Sequence, residues 1–398
     1  MTEHRHIRQL DGIRFLAITG VVVAHCWGPG PRAWIIRYWA HLGVRLFFVL
    51  SGFLISGILI RGRDLAEGRA EHRRTFIRRF YIRRFLRIFP VYYLVVTVVV
   101  AAGVPYAREL WPWLVSYTTN LYIWGHREWI GVLGHFWTLA VEEQFYLVWP
   151  WLMLGLPRRY VVPLLVGLVA LAPAYRFYAS YHYSAAVLQE EVVGTFTAAA
   201  LDSLGLGALL AIASAADPAR KRLDSILGSV VLPAGLLAWL LLVTLSRLRL
   251  EEHISAALDL TAASLIFCWL IGKASRGFNG WFGRVLESRP VSYVGKISYG
   301  IYIFHNLVPP ALHTLAMRLG IQYPETGVVN FAASVAVTLG LAATSWQFFE
   351  APINNLKRYF PTDVLTEVHP SSAPPTHGRG DREPTSVAPP AEGASRDS

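Results

Sequence analysis

An arginine and a histidine interrupt the first apolar run of the chain, Leu10-Asp-Gly-Ile-Arg14-Phe-Leu-Ala-Ile-Thr-Gly-Val-Val-Val-Ala-His25. Eleven residues apart on a helix, they lie about three turns, or ~16 Å, from one another and nearly on one face. Asp11 precedes Arg14 by three residues. An ionisable group inside an apolar run is costly unless it is paired or faces a cavity, so these three are candidates for chemistry. A plainer reading has Arg14 snorkelling to one interface and His25 sitting at the other beside Trp27.

A second constellation is His135-Phe-Trp-Thr-Leu-Ala-Val-Glu142-Glu143-Gln144-Phe-Tyr-Leu-Val-Trp-Pro150. His135, Thr138, Glu142 and Phe145 follow steps of three and four, so one helical face carries them together. A buried carboxylate and a histidine are the groups general acid–base catalysis uses. The competing reading is an outer interfacial turn with solvated glutamates.

The third constellation is basic: Arg78-Arg-Phe-Tyr-Ile-Arg83-Arg84-Phe-Leu-Arg87-Ile-Phe-Pro90. Arg83 and Arg87 lie one turn apart, with Arg84 on a neighbouring face. Guanidinium groups bind phosphates through paired hydrogen bonds, which suits a nucleotide-based donor. The same cluster would also anchor anionic lipid headgroups. Further along, Tyr299, Tyr302 and His305 recur at helical spacing and form a polar stripe.

The elements that must carry these groups are long apolar helices. Of 398 residues, 54% are hydrophobic and 16% charged, against about 25% charge in a soluble domain. Apolar runs predict about ten spans, near 10–27, 42–60, 90–104, 138–156, 160–178, 198–214, 227–246, 254–272, 292–312 and 328–348, several of them approaching the ~20 residues a bilayer requires and the others shorter and interrupted by polar residues. The chain reads as an all-α, polytopic helical bundle. The first run keeps Asp11 and Arg14 and lacks a small-residue cleavage site, so it reads as a retained helix.

Arginine and lysine concentrate in alternate connections, above all 61–90, which by the positive-inside bias puts both termini in the cytoplasm. The net charge of +11 is spread between apolar runs and not gathered on one face, which argues against nucleic acid. Cys26 and Cys268 provide neither a disulfide framework nor metal spacing, and no metal is expected. The segment 105–137 is too aromatic for a plain solvated loop and suggests a re-entrant or membrane-lying stretch. Residues 359–398 are Pro-, Ser- and charge-rich and predict a disordered cytoplasmic tail beyond a membrane domain at 1–358.

Together these segments resemble the membrane acyltransferase-3 family, integral-membrane O-acyltransferases of surface polysaccharides, lipids or secondary metabolites. The resemblance rests on Leu10-Asp-Gly-Ile-Arg14 with His25, on Gly43-Val-Arg-Leu-Phe-Phe-Val-Leu-Ser-Gly-Phe-Leu-Ile55, on Arg83-Arg-Phe-Leu-Arg-Ile-Phe-Pro-Val-Tyr92 and on the His135–Pro150 stretch. Gly295-Lys-Ile-Ser-Tyr-Gly-Ile-Tyr-Ile-Phe-His305 and Glu350-Ala-Pro352 extend it, over roughly residues 7–358. It implies a multi-pass protein of the bacterial cytoplasmic membrane. The acyl donor would be cytoplasmic acyl-CoA, usually acetyl-CoA, with no permanently bound cofactor. The acceptor would be a carbohydrate or glycolipid at the outer face.

By the same resemblance His25 and Glu142 become catalytic candidates and Arg14, Arg83 and Arg87 donor-binding ones. Asp11, Ser51, His135, Glu143, Tyr302 and His305 become supporting candidates. Many relatives carry an Arg beside the Asp of the sixth span, whereas Ala200-Leu-Asp202 stands here. Some carry a soluble esterase-like domain after the membrane part, where this chain has a short polar tail. The rival reading is a transporter or flippase of a glycan or lipid-linked substrate, since buried Arg, His and Glu also mark transport pathways. No internal repeat supports it.

Overall fold

The computed structural model describes residues 7–27, 33–66, 70–183, 192–217, 221–248 and 250–362. Most of the expected tail, from residue 363 on, lies outside the described residues, as does the basic stretch before Ile7. The described residues contain helices and no strand. Physics requires this of a chain so apolar, because a segment crossing lipid must satisfy its backbone hydrogen bonds internally.

Eight helices among the described residues are long and apolar enough to cross a membrane: Arg8–Cys26, Tyr38–Leu65, Glu71–Ala101, Arg158–His182, Thr197–Ala216, Lys221–Arg247, Glu252–Arg276 and Val328–Tyr359. Two of the ten expected spans are absent from that set, each for a visible reason. Residues 136–155 do form one unbroken 20-residue helix, but Glu142, Glu143 and Gln144 dilute its hydropathy. The stretch expected as a span at 292–312 is instead three short helices, Arg289–Lys296, Ser298–Phe304 and Val308–Arg318. Prolines in the first turns of the first and third mark the restarts, because proline lacks an N–H and disfavours helix in the residue before it.

We label the helices that build the site α1 (Arg8–Cys26), α2 (Ala33–Leu65), α3 (Ala70–Ala101), α4 (Phe136–Gly155), α5 (Arg158–His182), α6 (Leu201–Ala216), α7 (Glu252–Arg276) and α8 (Ser298–Phe304). The basic stretch expected as a loop at 61–90 is largely the first half of α3, which runs through Pro90 without a break. Its arginines therefore take fixed directions around a helix. Outward-facing side chains such as Leu147, Val166, Leu237 and Leu241 are exposed and apolar, a surface suited to lipid tails and not to water.

α1 packs between α2 and the Arg289–Lys296 helix, and α2 packs tightly on α6. Glycines make the second contact possible: a Cβ at Gly52 would collide with the Leu204 carbonyl, and one at Gly207 with the Val49 carbonyl. A Cβ at Gly57, on the same helix, would meet only the far end of the Arg61 side chain, at 4.0 Å. Gly52→Ala is therefore expected to cost about 1–3 kcal/mol through overpacking. Gly57→Ala should be neutral or stabilising by up to ~1 kcal/mol, because a helical glycine carries an entropic penalty. Thermal midpoints of the two variants in detergent would check this, and equal midpoints would remove the packing role.

The aromatic segment at 105–137 folds onto the end of the bundle as the short helices Trp111–Val115 and Thr119–His126 and a turn at Gly131–Leu133. Hydroxyls of Tyr92 and Tyr93 donate to the Leu114 and Val115 carbonyls at 2.8 and 2.9 Å. Gln144 of α4 donates to the Tyr117 carbonyl and to Asn120 Oδ1 at 3.0 and 2.9 Å. These bonds fasten the segment to α3 and α4, with the Tyr92 and Tyr93 rings packed while their hydroxyls reach its backbone.

Asp202, which the sequence left without a partner, sits fully buried between two arginines. Arg176 of α5 donates to its Oδ2 at 2.7 Å, and Arg45 of α2 lies 3.4 Å from its Oδ1. Thr261 of α7 adds a hydroxyl at 2.6 Å, and both guanidinium groups also donate to the Ala199 carbonyl. One network thus ties four helices together.

Candidate functional site

A cavity of about 160 Å³ opens between α1, α2, α3, α4 and α8. Its basic wall is Arg14, Arg84 and Arg87. Arg14 is ion-paired with the buried Asp11, one helical turn away, and keeps about a quarter of its side chain exposed. Arg84 lies over the rings of Phe80 and Tyr146, 5.7 and 5.4 Å from their centroids. Arg87 lies 5.4 Å over Trp346, whose ring also meets Lys296 at 4.9 Å. Aromatic faces attract and orient a cation without neutralising it. The rings thus orient Arg84 and Arg87 at the cavity, while Arg14 is charge-paired with Asp11.

Close beside Arg84 stands an acidic and hydroxylic wall. The Ser51 hydroxyl donates to Glu142 Oε1 at 2.6 Å, and the Tyr146 hydroxyl donates to Ser51 Oγ at 2.8 Å. Glu143 lines the same cavity. Glu142 and Tyr146 are four residues apart on α4 and so project on one side. Ser51 meets them across the contact between α2 and α4.

Beyond this wall the cavity reaches Thr138, Tyr299 and Tyr302. Thr138 donates to the Tyr302 hydroxyl at 2.5 Å, which donates to the His135 carbonyl at 2.9 Å. There a histidine cluster begins. The rings of Tyr302 and His305 are 5.2 Å apart, those of His135 and His305 5.1 Å, and those of His25 and His305 5.0 Å in an edge-to-face arrangement. His135 and His305 are buried, whereas His25 is exposed at the end of α1. The Asn306 side chain hydrogen-bonds His25 while its Nδ2 donates to the Val132 carbonyl at 2.7 Å. Among the described residues no group of three or more His, Cys, Asp or Glu side chains could hold a metal ion.

The structure thus brings most of the sequence candidates into two adjoining groups. Arg14, Arg87, Ser51, Glu142, Glu143 and Tyr302 share the cavity, and His25, His135 and His305 form the cluster next to it. Two placements differ from the sequence reading. Arg83 points away from the cavity and donates to the Lys357 and Phe360 carbonyls at 2.9 and 3.2 Å, tying α3 to the C-terminal turn. Arg84 takes the lining position instead. Glu142 is paired with Ser51.

Tyr146 and Asn306 were missed. The step of four from Glu142 could have pointed to Tyr146. Nothing local pointed to Asn306, whose partner lies at the far end of the sequence.

Comparison with known proteins follows the same segments. The profile of the family described as an acyltransferase domain matches residues 7–346. The peptidoglycan O-acetyltransferase OatA of Listeria monocytogenes is 25% identical over 384 residues, covering 89% of this chain and 57% of the relative. The putative peptidoglycan O-acetyltransferase YrhL of Bacillus subtilis is 28% identical over 378 residues, covering 88% and 55%. The O-acetyltransferase OatA of Staphylococcus aureus is 25% identical over 379 residues, covering 89% and 58%. The chain spans a little over half the length of these curated relatives. No solved structure matches it.

Proposed function

The chain belongs to the acyltransferase family whose profile covers residues 7–346, and from that premise we propose that it moves an acyl group, acetyl in the first instance, from acyl-CoA to a hydroxyl of a carbohydrate acceptor. The donor is cytoplasmic, the acceptor lies at the outer face of the bacterial cytoplasmic membrane, and residues 1–358 carry the activity. The observation behind this reading is the continuity of the site: a cavity lined by three arginines adjoins, through Tyr302, a histidine cluster that ends at the exposed His25.

Each part has a task in the transfer. Arg14, Arg84 and Arg87 hold the donor phosphates, since guanidinium forks match phosphate oxygens and stay charged. The thioester arm runs past Ser51 and Glu142, whose hydroxyl and carboxylate meet its amide groups. The ~16 Å between Arg14 and His25 along α1 is within reach of such an arm. At the outer end His25 takes the proton of the attacking hydroxyl as its oxygen adds to the thioester carbonyl. The tetrahedral adduct then collapses, expels the thiolate and returns the proton to sulfur, leaving an ester on the acceptor.

The relatives named as peptidoglycan O-acetyltransferases support a glycan acceptor. The deciding experiment is transfer of radiolabelled acetyl from acetyl-CoA to envelope glycan in membranes that contain the protein. Label in the glycan sustains the reading; protein-dependent passage of an unmodified glycan, without label, would favour a flippase.

The arginines offer a finer check. Loss of a charged hydrogen bond costs about 1.5–3 kcal/mol, so Arg84→Gln and Arg87→Gln should each raise the KM for acetyl-CoA about 10–100-fold. Arg83→Gln should change it little, because Arg83 faces the C-terminal turn. Equal effects at all three positions would show that the cavity does not select among them.

A further inference from the structure

His305 is fully buried, and its Nδ1 lies 2.6 Å from the Tyr302 carbonyl oxygen. A carbonyl oxygen only accepts, so Nδ1 carries the ring proton and Nε2 presents a lone pair. That Nε2 is buried and meets no hydrogen-bond donor. Buried polar atoms are paired in the great majority of cases, so an unpaired acceptor asks for a partner that the folded chain does not supply.

The three rings around it cannot supply one as placed. His25 gives its ring proton to the Asn306 side-chain oxygen. Both nitrogens of His135 face carbonyls, Val132 at 2.8 Å and Ile303 at 3.3 Å. The Tyr302 hydroxyl proton goes to the His135 carbonyl at 2.9 Å. Meanwhile His25, whose ring centre is 5.0 Å from that of His305, is open to the exterior.

We infer that His305 Nε2, closed off by the rings packed around it, receives a hydrogen bond from the acyl acceptor when the exposed His25 ring turns aside, given by a hydroxyl or amide N–H that adjoins the hydroxyl reacting beside His25. The inference rests on the proposed transfer reaction and adds the acceptor's chemistry to it. A molecule that presents two neighbouring donors, as a sugar with vicinal hydroxyls does, fills both positions at once. A simple alcohol fills one. His305 is then a residue that selects and positions the acceptor, while His25 handles the proton.

Three variants separate this role from a structural one. A glutamine at 305 places an amide oxygen near the Nε2 position, so His305→Gln should keep transfer to endogenous envelope glycan within about threefold of wild type. An asparagine places its amide near Nδ1, where it can still donate to the Tyr302 carbonyl but leaves the Nε2 position empty. His305→Asn and His305→Phe should lower transfer about tenfold or more, the range for stranding one hydrogen-bonding group. The loss should sit in the KM for glycan, and all three variants should bind coenzyme A like wild type in calorimetry on the purified full-length protein.

Activity retained by His305→Asn and lost by His305→Gln would overturn the inference, because only the bond to Tyr302 would then matter. Full transfer by His305→Phe would overturn it equally. If wild type itself neither binds coenzyme A nor labels glycan, the failure belongs to the proposed reaction, and this inference falls with it.

Discussion

Replacing His25 with alanine is expected to lower acyl transfer about 10²–10⁴-fold, the usual contribution of a positioned acid–base group, while coenzyme A binding stays unchanged. The separation follows from α1. It is one continuous helix from Arg8 to Cys26, so Arg14 and His25 are held about three turns apart. Removing the imidazole leaves the cavity walls, the Ser51–Glu142 bond and the Arg84 and Arg87 platforms intact. His25 is exposed, so its loss opens no cavity in the core. The measurement is radiolabelled acetyl transfer alongside calorimetric coenzyme A binding. Transfer within a few-fold of wild type, in a correctly inserted protein, would move the base to another residue. Loss of both activities together would mean that the two ends of α1 are not independent.

Asp202→Ala is expected to be the most destabilising single change in the bundle, at about 3–5 kcal/mol. Asp202 is fully buried, and Arg45 and Arg176 are 3% and 6% exposed. Removing the carboxylate strands two guanidinium groups in a medium that cannot solvate them. Their remaining bonds, to the carbonyls of Ala199 and Ala257 and to Thr261, satisfy donors but do not balance charge. A thermal scan in detergent should show the loss. Substituting all three residues with apolar ones of similar size should restore much of it, because a buried ion network is often no more stable than a hydrophobic replacement. An Asp202→Ala protein as stable as wild type would show that the network carries no stabilising charge pairing. The tie lies away from the cavity lining, so surviving Asp202→Ala protein should keep its affinity for coenzyme A.

The helices that cross the membrane are legible in the sequence because the bilayer acts on each segment separately: length and hydropathy suffice. The same locality made Arg14 and His25 visible, since two polar residues on one helix have a separation and a relative direction that need no other part of the chain. Where the sequence reading departed from the structure, the local signal was mixed. α4 is the full-length helix its apolar run predicts, in spite of its glutamates, whereas the stretch at 292–312 breaks at Ile297 and restarts with prolines only at Val308.

The partners of those residues are another matter, because each joins distant parts of the chain. Ser51 and Glu142 are 91 positions apart, Arg45 and Asp202 157, and His135 and the Ile303 carbonyl 168. Neighbouring residues on a helix point about 100° apart, so whether Arg83 or Arg84 faces the cavity depends on how α3 is rotated. Nothing within the arginine cluster fixes that rotation. It is set by the bonds from Arg83 to the C-terminal turn, by the rings that receive Arg84 and Arg87, and by glycines that let particular helix faces touch. The sequence by itself determined which residues were too polar for their surroundings, because that mismatch is local. Only the packed bundle decided which of them meet, because a helix face finds its neighbours through shape and close approach across the whole chain.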